Sequence, residues 1–116
     1  MRDFKKLVVW EKAHNLTLAV YRNTDSYPKE ELFGLTSQLR RASASIPANI
    51  AEGFGRSGSA ELARFLQISM GSASELEYHF ILAHDLKYLS DESYNQLDSM
   101  VVEIKQMLTG LIQKVK

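Results

Sequence analysis

Gln38-Leu39-Arg40-Arg41-Ala42-Ser43-Ala44-Ser45-Ile46-Pro47-Ala48-Asn49-Ile50-Ala51-Glu52-Gly53 carries two stripes at once. Leu39, Ala42, Ile46 and Ile50 recur in steps of three and four, and Leu32 and Leu35 extend that line upstream. This is the period of an α-helix with one buried face. Gln38, Arg41, Ser45, Asn49 and Glu52 form a second, polar line, centred about 100° round the helix from the first. Pro47 has no amide hydrogen, yet the apolar line continues past it through Ile50. The spacing therefore predicts a helix kinked near Pro47 rather than stopped there.

The same period extends in both directions. Val9, Ala13, Leu16 and Val20 predict a helix over 8–25. Pro28, at a first turn, with Glu30 and Glu31 behind it, sets the next helix at 28–53. Leu62, Phe65, Leu66, Ser69, Ala73, Leu76, Phe80, Ala83 and Leu86 predict a helix over 59–89. Ser90 reads as a cap, with Asp91 and Glu92 after it. Leu97, Val101, Ile104, Leu108, Leu111 and Val115 then continue as a seven-residue repeat over 91–115. No segment alternates with period two. The fold class is all-α: an antiparallel, up-down-up-down four-helix bundle.

At 116 residues the chain is one domain, 1–116, by the usual length prior. The absence of cysteine removes disulfides, thiolate metal sites and cysteine nucleophiles together. The longest uncharged stretches reach about half the length of a membrane span, so no membrane association is expected. The opening Met1-Arg2-Asp3-Phe4-Lys5-Lys6 lacks a secretory pattern, and a cytoplasmic location is the expectation. Fourteen bases balance fourteen acids, which argues against binding nucleic acid by bulk charge. The balance is uneven: residues 1–64 hold ten bases and seven acids, residues 65–116 four bases and seven acids. The two halves attract one another, or the first half presents a basic face.

On the third helix Ser72, Glu75 and His79 line up as a polar row, with Gly71 beside them. Together with the Gln38–Glu52 stripe they read first as a hydrogen-bonded network between helices or subunits. If the Arg41 pair is buried, breaking it costs on the order of 3 kcal/mol. A solvated face, or a ligand or catalytic site using Glu52, Glu75 and His79, are the other readings. Gly53-Phe54-Gly55-Arg56-Ser57-Gly58 matches the dinucleotide fingerprint letter for letter, but a helix precedes it where a strand is required. It reads as a glycine-rich helix stop followed by a serine-capped start. His14, His79 and His84 offer no metal spacing, and Glu11 with His14 is a lone E-x-x-H unit. No metal and no cofactor are expected. Arg40, Arg41 and Arg56 are the candidate nucleic-acid contacts.

Gln38-Leu39-Arg40-Arg41-Ala42, Ser45-Ile46-Pro47-Ala48-Asn49-Ile50-Ala51-Glu52-Gly53 and Gly55-Arg56 resemble the bacterial four-helix-bundle proteins of the 23S ribosomal RNA intervening sequences. Trp10-Glu11-Lys12-Ala13, Pro28 with Glu31 and Gly34-Leu35, Arg64-Phe65-Leu66, and Gly71-Ser72 with Glu75-Leu76-Glu77 fit the same family. The resemblance covers roughly residues 8–113 and implies a ring of five subunits. A related branch serves diversity-generating retroelements, pairing with a reverse transcriptase and binding nucleic acid through a basic surface. The zero net charge here departs from that branch. The resulting expectation is a non-enzymatic, homo-oligomeric adaptor acting with RNA or a ribonucleoprotein partner. Direct nucleic-acid binding through Arg40, Arg41 and Arg56 is the alternative.

Overall fold

Four α-helices follow one another in a computed structural model that describes residues 3–116. Met1 and Arg2, the first residues of the stretch read for a secretory signal, lie outside the described residues. The helices are α1 (Val8–Thr24), α2 (Leu35–Phe54), α3 (Ser59–Asp85) and α4 (Asp91–Val115). Short 3-10 turns at Phe4–Lys6 and Lys29–Glu31 precede α1 and α2. Each helix packs against the next, and α4 closes back on α1. Neighbours run in opposite senses. Thr17 and Thr24 of α1 meet Ser43 and Arg40 of α2. Ile46, Ser45 and Arg41 of α2 meet Ser69, Ser72 and Glu75 of α3. Glu77 and His84 of α3 meet Lys105 and Asp91 of α4. No described helix is long and apolar enough to cross a membrane.

The predicted stripes form the core. Leu16, Val20, Leu39, Ile46, Ile50, Leu66, Leu76, Phe80, Val101, Ile104 and Leu108 are all fully enclosed. Burying each such side chain contributes about 1.5–3 kcal/mol relative to exposure, before the entropy cost of ordering it. On α4 the last enclosed position is Ile112, with Leu111 and Val115 only partly covered. A straight helix drifts about 20° per heptad against a seven-residue repeat, which carries the inward direction from 111 to 112.

Two helix ends differ from the sequence expectation. The segment from Pro28 does not enter α2 directly. The backbone of Gly34, at φ −113° and ψ −114°, separates the 3-10 turn from Leu35. Glu31 acts as a remote cap: its Oε1 accepts from the Leu35 N–H at 3.1 Å, and its Oε2 accepts from the Tyr88 hydroxyl at 3.1 Å. Leu32, ahead of the break, is left exposed. At the other end, α3 stops at Asp85 rather than 89. Lys87 takes φ 69°, and the N–H groups of Lys87 and Tyr88 donate to the carbonyls of His84 and Ala83. This is a left-handed helix stop without the usual glycine. Ser90 caps α4 as predicted, its Oγ accepting from Ser93 N–H at 3.1 Å.

α2 runs unbroken through Pro47 to Phe54. Gly58, at φ 91°, takes the N-cap position of α3, so Ser59 is its first residue and no serine side chain caps that end. Gly53 lets α2 and α3 approach closely. A Cβ built there would lie 2.9 Å from Phe65 Cβ and 3.1 Å from Leu62 Cδ1. Gly53→Ala should therefore destabilise by about 1–3 kcal/mol, although alanine is the better helix former. Chemical denaturation checks this; an unchanged or raised midpoint would mean that the two helices have room to spare.

Candidate functional site

Pro47 sets the local problem for the polar stripe. In an unbroken helix the residue 47 amide would donate to the Ser43 carbonyl, and proline has no such donor. The Thr17 hydroxyl of α1 donates to that carbonyl instead, at 2.9 Å, and also lies 3.1 Å from Ala13 O. Ser69 of α3 donates to the Ile46 carbonyl at 2.9 Å. Hydroxyls from both neighbouring helices thus brace α2 around its proline. Arg41, Ser45, Asn49 and Glu52 keep a common outward line as a result.

That line forms three separate groups, two of which meet the α3 row. Arg41 donates to Gln38 Oε1 at 2.7 Å and to Glu75 Oε2 at 2.6 Å. The Ser45 and Ser72 hydroxyls lie 2.9 Å apart, and Asn49 Nδ2 donates to Ser45 O and Oγ at 2.8 and 3.0 Å. Glu52 pairs with Arg56, one turn on, at 2.9 Å, and makes no contact with the α3 row. The seam is a set of local pairs rather than one network. Arg41 and Glu75 remain 57% and 38% exposed, so the pair contributes about 0–1 kcal/mol. The larger cost of a buried pair does not apply there.

His79 completes the row. Its Nδ1 is enclosed and has no hydrogen-bond partner. Burial holds the imidazole below its usual range; the Glu75 carboxylate opposes this and the Arg41 guanidinium adds to it. Gly71 lies on the outside, with nothing within 4 Å of a Cβ built on it, so no backbone approaches it within the subunit.

The three candidate nucleic-acid contacts point to three places. Arg40 faces α1: its Nε donates to Thr24 Oγ1 at 2.9 Å and its Nη2 to Asp25 Oδ1 at 3.1 Å, over the Tyr21 ring. Arg41 lies on the α2–α3 seam. Arg56 pairs with Glu52 and sits 5.0 Å from the Phe65 ring. Each guanidinium has a carboxylate beside it. Glu11 and His14 are exposed, and His14 stacks on Trp10 at 5.2 Å. Among the described residues no three His, Asp or Glu side chains gather as a metal site.

Thr17 and Ser69 were not visible as functional residues in the sequence. The one signal was Pro47, which demands a donor for Ser43 O without naming it.

Because the fold favours neutral His79, protonation costs stability as pH falls below the unfolded value of about 6.5. The drop in melting temperature between pH 7.5 and 5.5 should be smaller in His79→Gln than in the wild type. Equal drops would show that His79 does not contribute.

No curated protein matches this sequence. A crystal structure of a protein of unknown function from the S23 ribosomal protein family of Bacteroides thetaiotaomicron superposes with a TM-score of 0.82. The two are 26% identical, and the match covers 90% of this chain and 98% of that one. The sequence model of the 23S rRNA-intervening sequence protein family matches residues 5–110, which include all of α1 to α3, the polar seam and most of α4. The braced proline helix, its outward seam and the bundle around them are those of a chain that belongs to the 23S rRNA-intervening sequence protein family.

Proposed function

We propose that this protein is a non-enzymatic, cytoplasmic assembly subunit that closes into a homopentameric ring and acts as an adaptor for RNA or a ribonucleoprotein partner. The observation that carries the reading is the outer face of α3. Ile68, Gly71, Glu75 and Tyr78 repeat there in steps of three and four, a second helical stripe outside the core, which ends on the partly covered Leu82. Ile68 and Tyr78 are exposed, and the polar seam with the partnerless His79 Nδ1 runs alongside. A face that combines apolar knobs and a bare glycine suits another copy of the chain. A closed point-group assembly covers such a surface on every subunit. The ring of five rests on the family resemblance. The adaptor role rests on the family's link to ribosomal RNA genes.

Two features favour a non-enzymatic role. The seam carboxylates and guanidinia neutralise one another, and no nucleophile and base are paired along it. Direct nucleic-acid binding through Arg40, Arg41 and Arg56 has less support as a bulk-charge effect. Asp25, Glu75 and Glu52 offset those cations one for one. Binding by that route is weak, salt-sensitive and dependent on several subunits engaging one strand.

Light scattering at tens of micromolar should give five times the subunit mass. Gly71→Glu should keep the helical circular-dichroism spectrum, since the new side chain meets nothing within the subunit, yet reduce the mass to that of smaller species. A monomer mass for the wild type, or an intact ring in Gly71→Glu, would overturn this reading.

A further inference from the structure

Two hollows meet where α1 hands over to α2. The inner one, of about 250 Å³, is bordered by Tyr27, Lys29, Thr36 and Arg40, with Asp25 at its edge. The outer one, of about 410 Å³, is bordered by Tyr21, Phe33, Ser37 and Arg41. Leu32, Thr36 and Arg40 belong to both.

Thr36 is only 3% exposed, and its hydroxyl has no hydrogen-bond partner. That hydroxyl has no accessible surface and does not open onto either hollow, so the ligating groups there are the cations and rings. Arg40 is already held in place by Thr24, Asp25 and the Tyr21 carbonyl. Its partner Asp25 is 80% exposed, so that pair is weak and easily exchanged for another anion. Lys29, also on the inner hollow, has no ion pair and leaves one surplus positive charge among the three groups. Burial pushes the Tyr27 hydroxyl up to about 12, which keeps it neutral and able to donate. On the outer hollow Phe33 is 92% exposed, an aromatic ring that nothing in the subunit covers. Tyr21 lies on the same hollow, beneath the Arg40 guanidinium.

We infer that this elbow binds one nucleotide unit, with its phosphate in the inner hollow on Arg40 and Lys29, and its base against Phe33 and Tyr21. Cations beside an exposed aromatic ring suit a phosphate joined to a flat heterocycle, and neither half alone uses both hollows. The ligand is a free mononucleotide or one residue of a single strand. The site lies apart from the α3 face and does not rest on the assembly reading.

The test is calorimetric titration of the intact chain at low salt with inorganic phosphate, adenosine 5′-monophosphate and a short oligoadenylate. The mononucleotide should bind about fivefold or more tighter than phosphate, through the base contact. Phe33→Ala should abolish that advantage while leaving phosphate binding unchanged. Lys29→Met should weaken both ligands and keep the fold, because Lys29 is exposed and makes no ion pair. Tighter binding of the oligoadenylate than of the mononucleotide assigns the site to a strand; equal binding assigns it to a free nucleotide. No saturable mononucleotide binding at millimolar concentration, or wild-type binding by both variants, would overturn the inference. A changed assembly mass in Phe33→Ala would also overturn it, by making Phe33 a contact between subunits.

Discussion

One missing amide organises this bundle. Pro47 stands in the middle of α2, the helix that packs on both α1 and α3, and leaves the enclosed Ser43 carbonyl without its intrahelical donor. The Thr17 hydroxyl replaces that donor from α1, and Ser69 reaches the Ile46 carbonyl from α3. Both hydrogen bonds are made by buried or half-buried groups to backbone, so they fix the height of α1 and α3 against α2 as well as the orientation. α2 stays one helix, and residues before and after the proline share one outward line. The polar seam is continuous because the helix is braced at its proline from both sides.

The charges follow the same logic of local matching. The basic first half and acidic second half are joined by Arg41 with Glu75 and Lys12 with Glu103, which cross between them. Asp25 and Glu52 then hold Arg40 and Arg56 within the first half. These charges therefore meet as local pairs rather than as opposed faces. Such a surface leaves recognition to shape, exposed rings and individual hydroxyls. Of the exposed large apolar side chains, Ile68, Tyr78 and Ile81 lie on α3 and Phe33 at the elbow, with Val8, Leu18, Tyr21, Leu32 and Leu86 elsewhere.

Helical period alone made the four helices and nearly all of the core legible, because the enclosed residues recur at three and four. The polar seam was legible for the same reason, as was its match to Ser72 and Glu75. Ends were less so. Pro28 and two glutamates carry every signal of a helix start, but Glu31 acts at a distance on Leu35 and Tyr88, which no local pattern encodes. The end of α3 was hidden because Lys87, not glycine, takes the left-handed position. Thr17 and Ser69 escaped because they bond to carbonyls, and backbone acceptors leave no mark on the sequence.

The dependence of α1 and α2 on the bridged proline is tested most directly by a double-mutant cycle between Thr17 and Pro47. Thr17→Val keeps the shape of the side chain and removes the donor, so it should cost about 1–3 kcal/mol by stranding the enclosed Ser43 carbonyl. In the Pro47→Ala background the helix supplies its own amide, and the same change should cost almost nothing. A Thr17→Val penalty of equal size in both backgrounds would contradict the account, since the hydroxyl would then be stabilising the bundle for a reason unconnected with the proline.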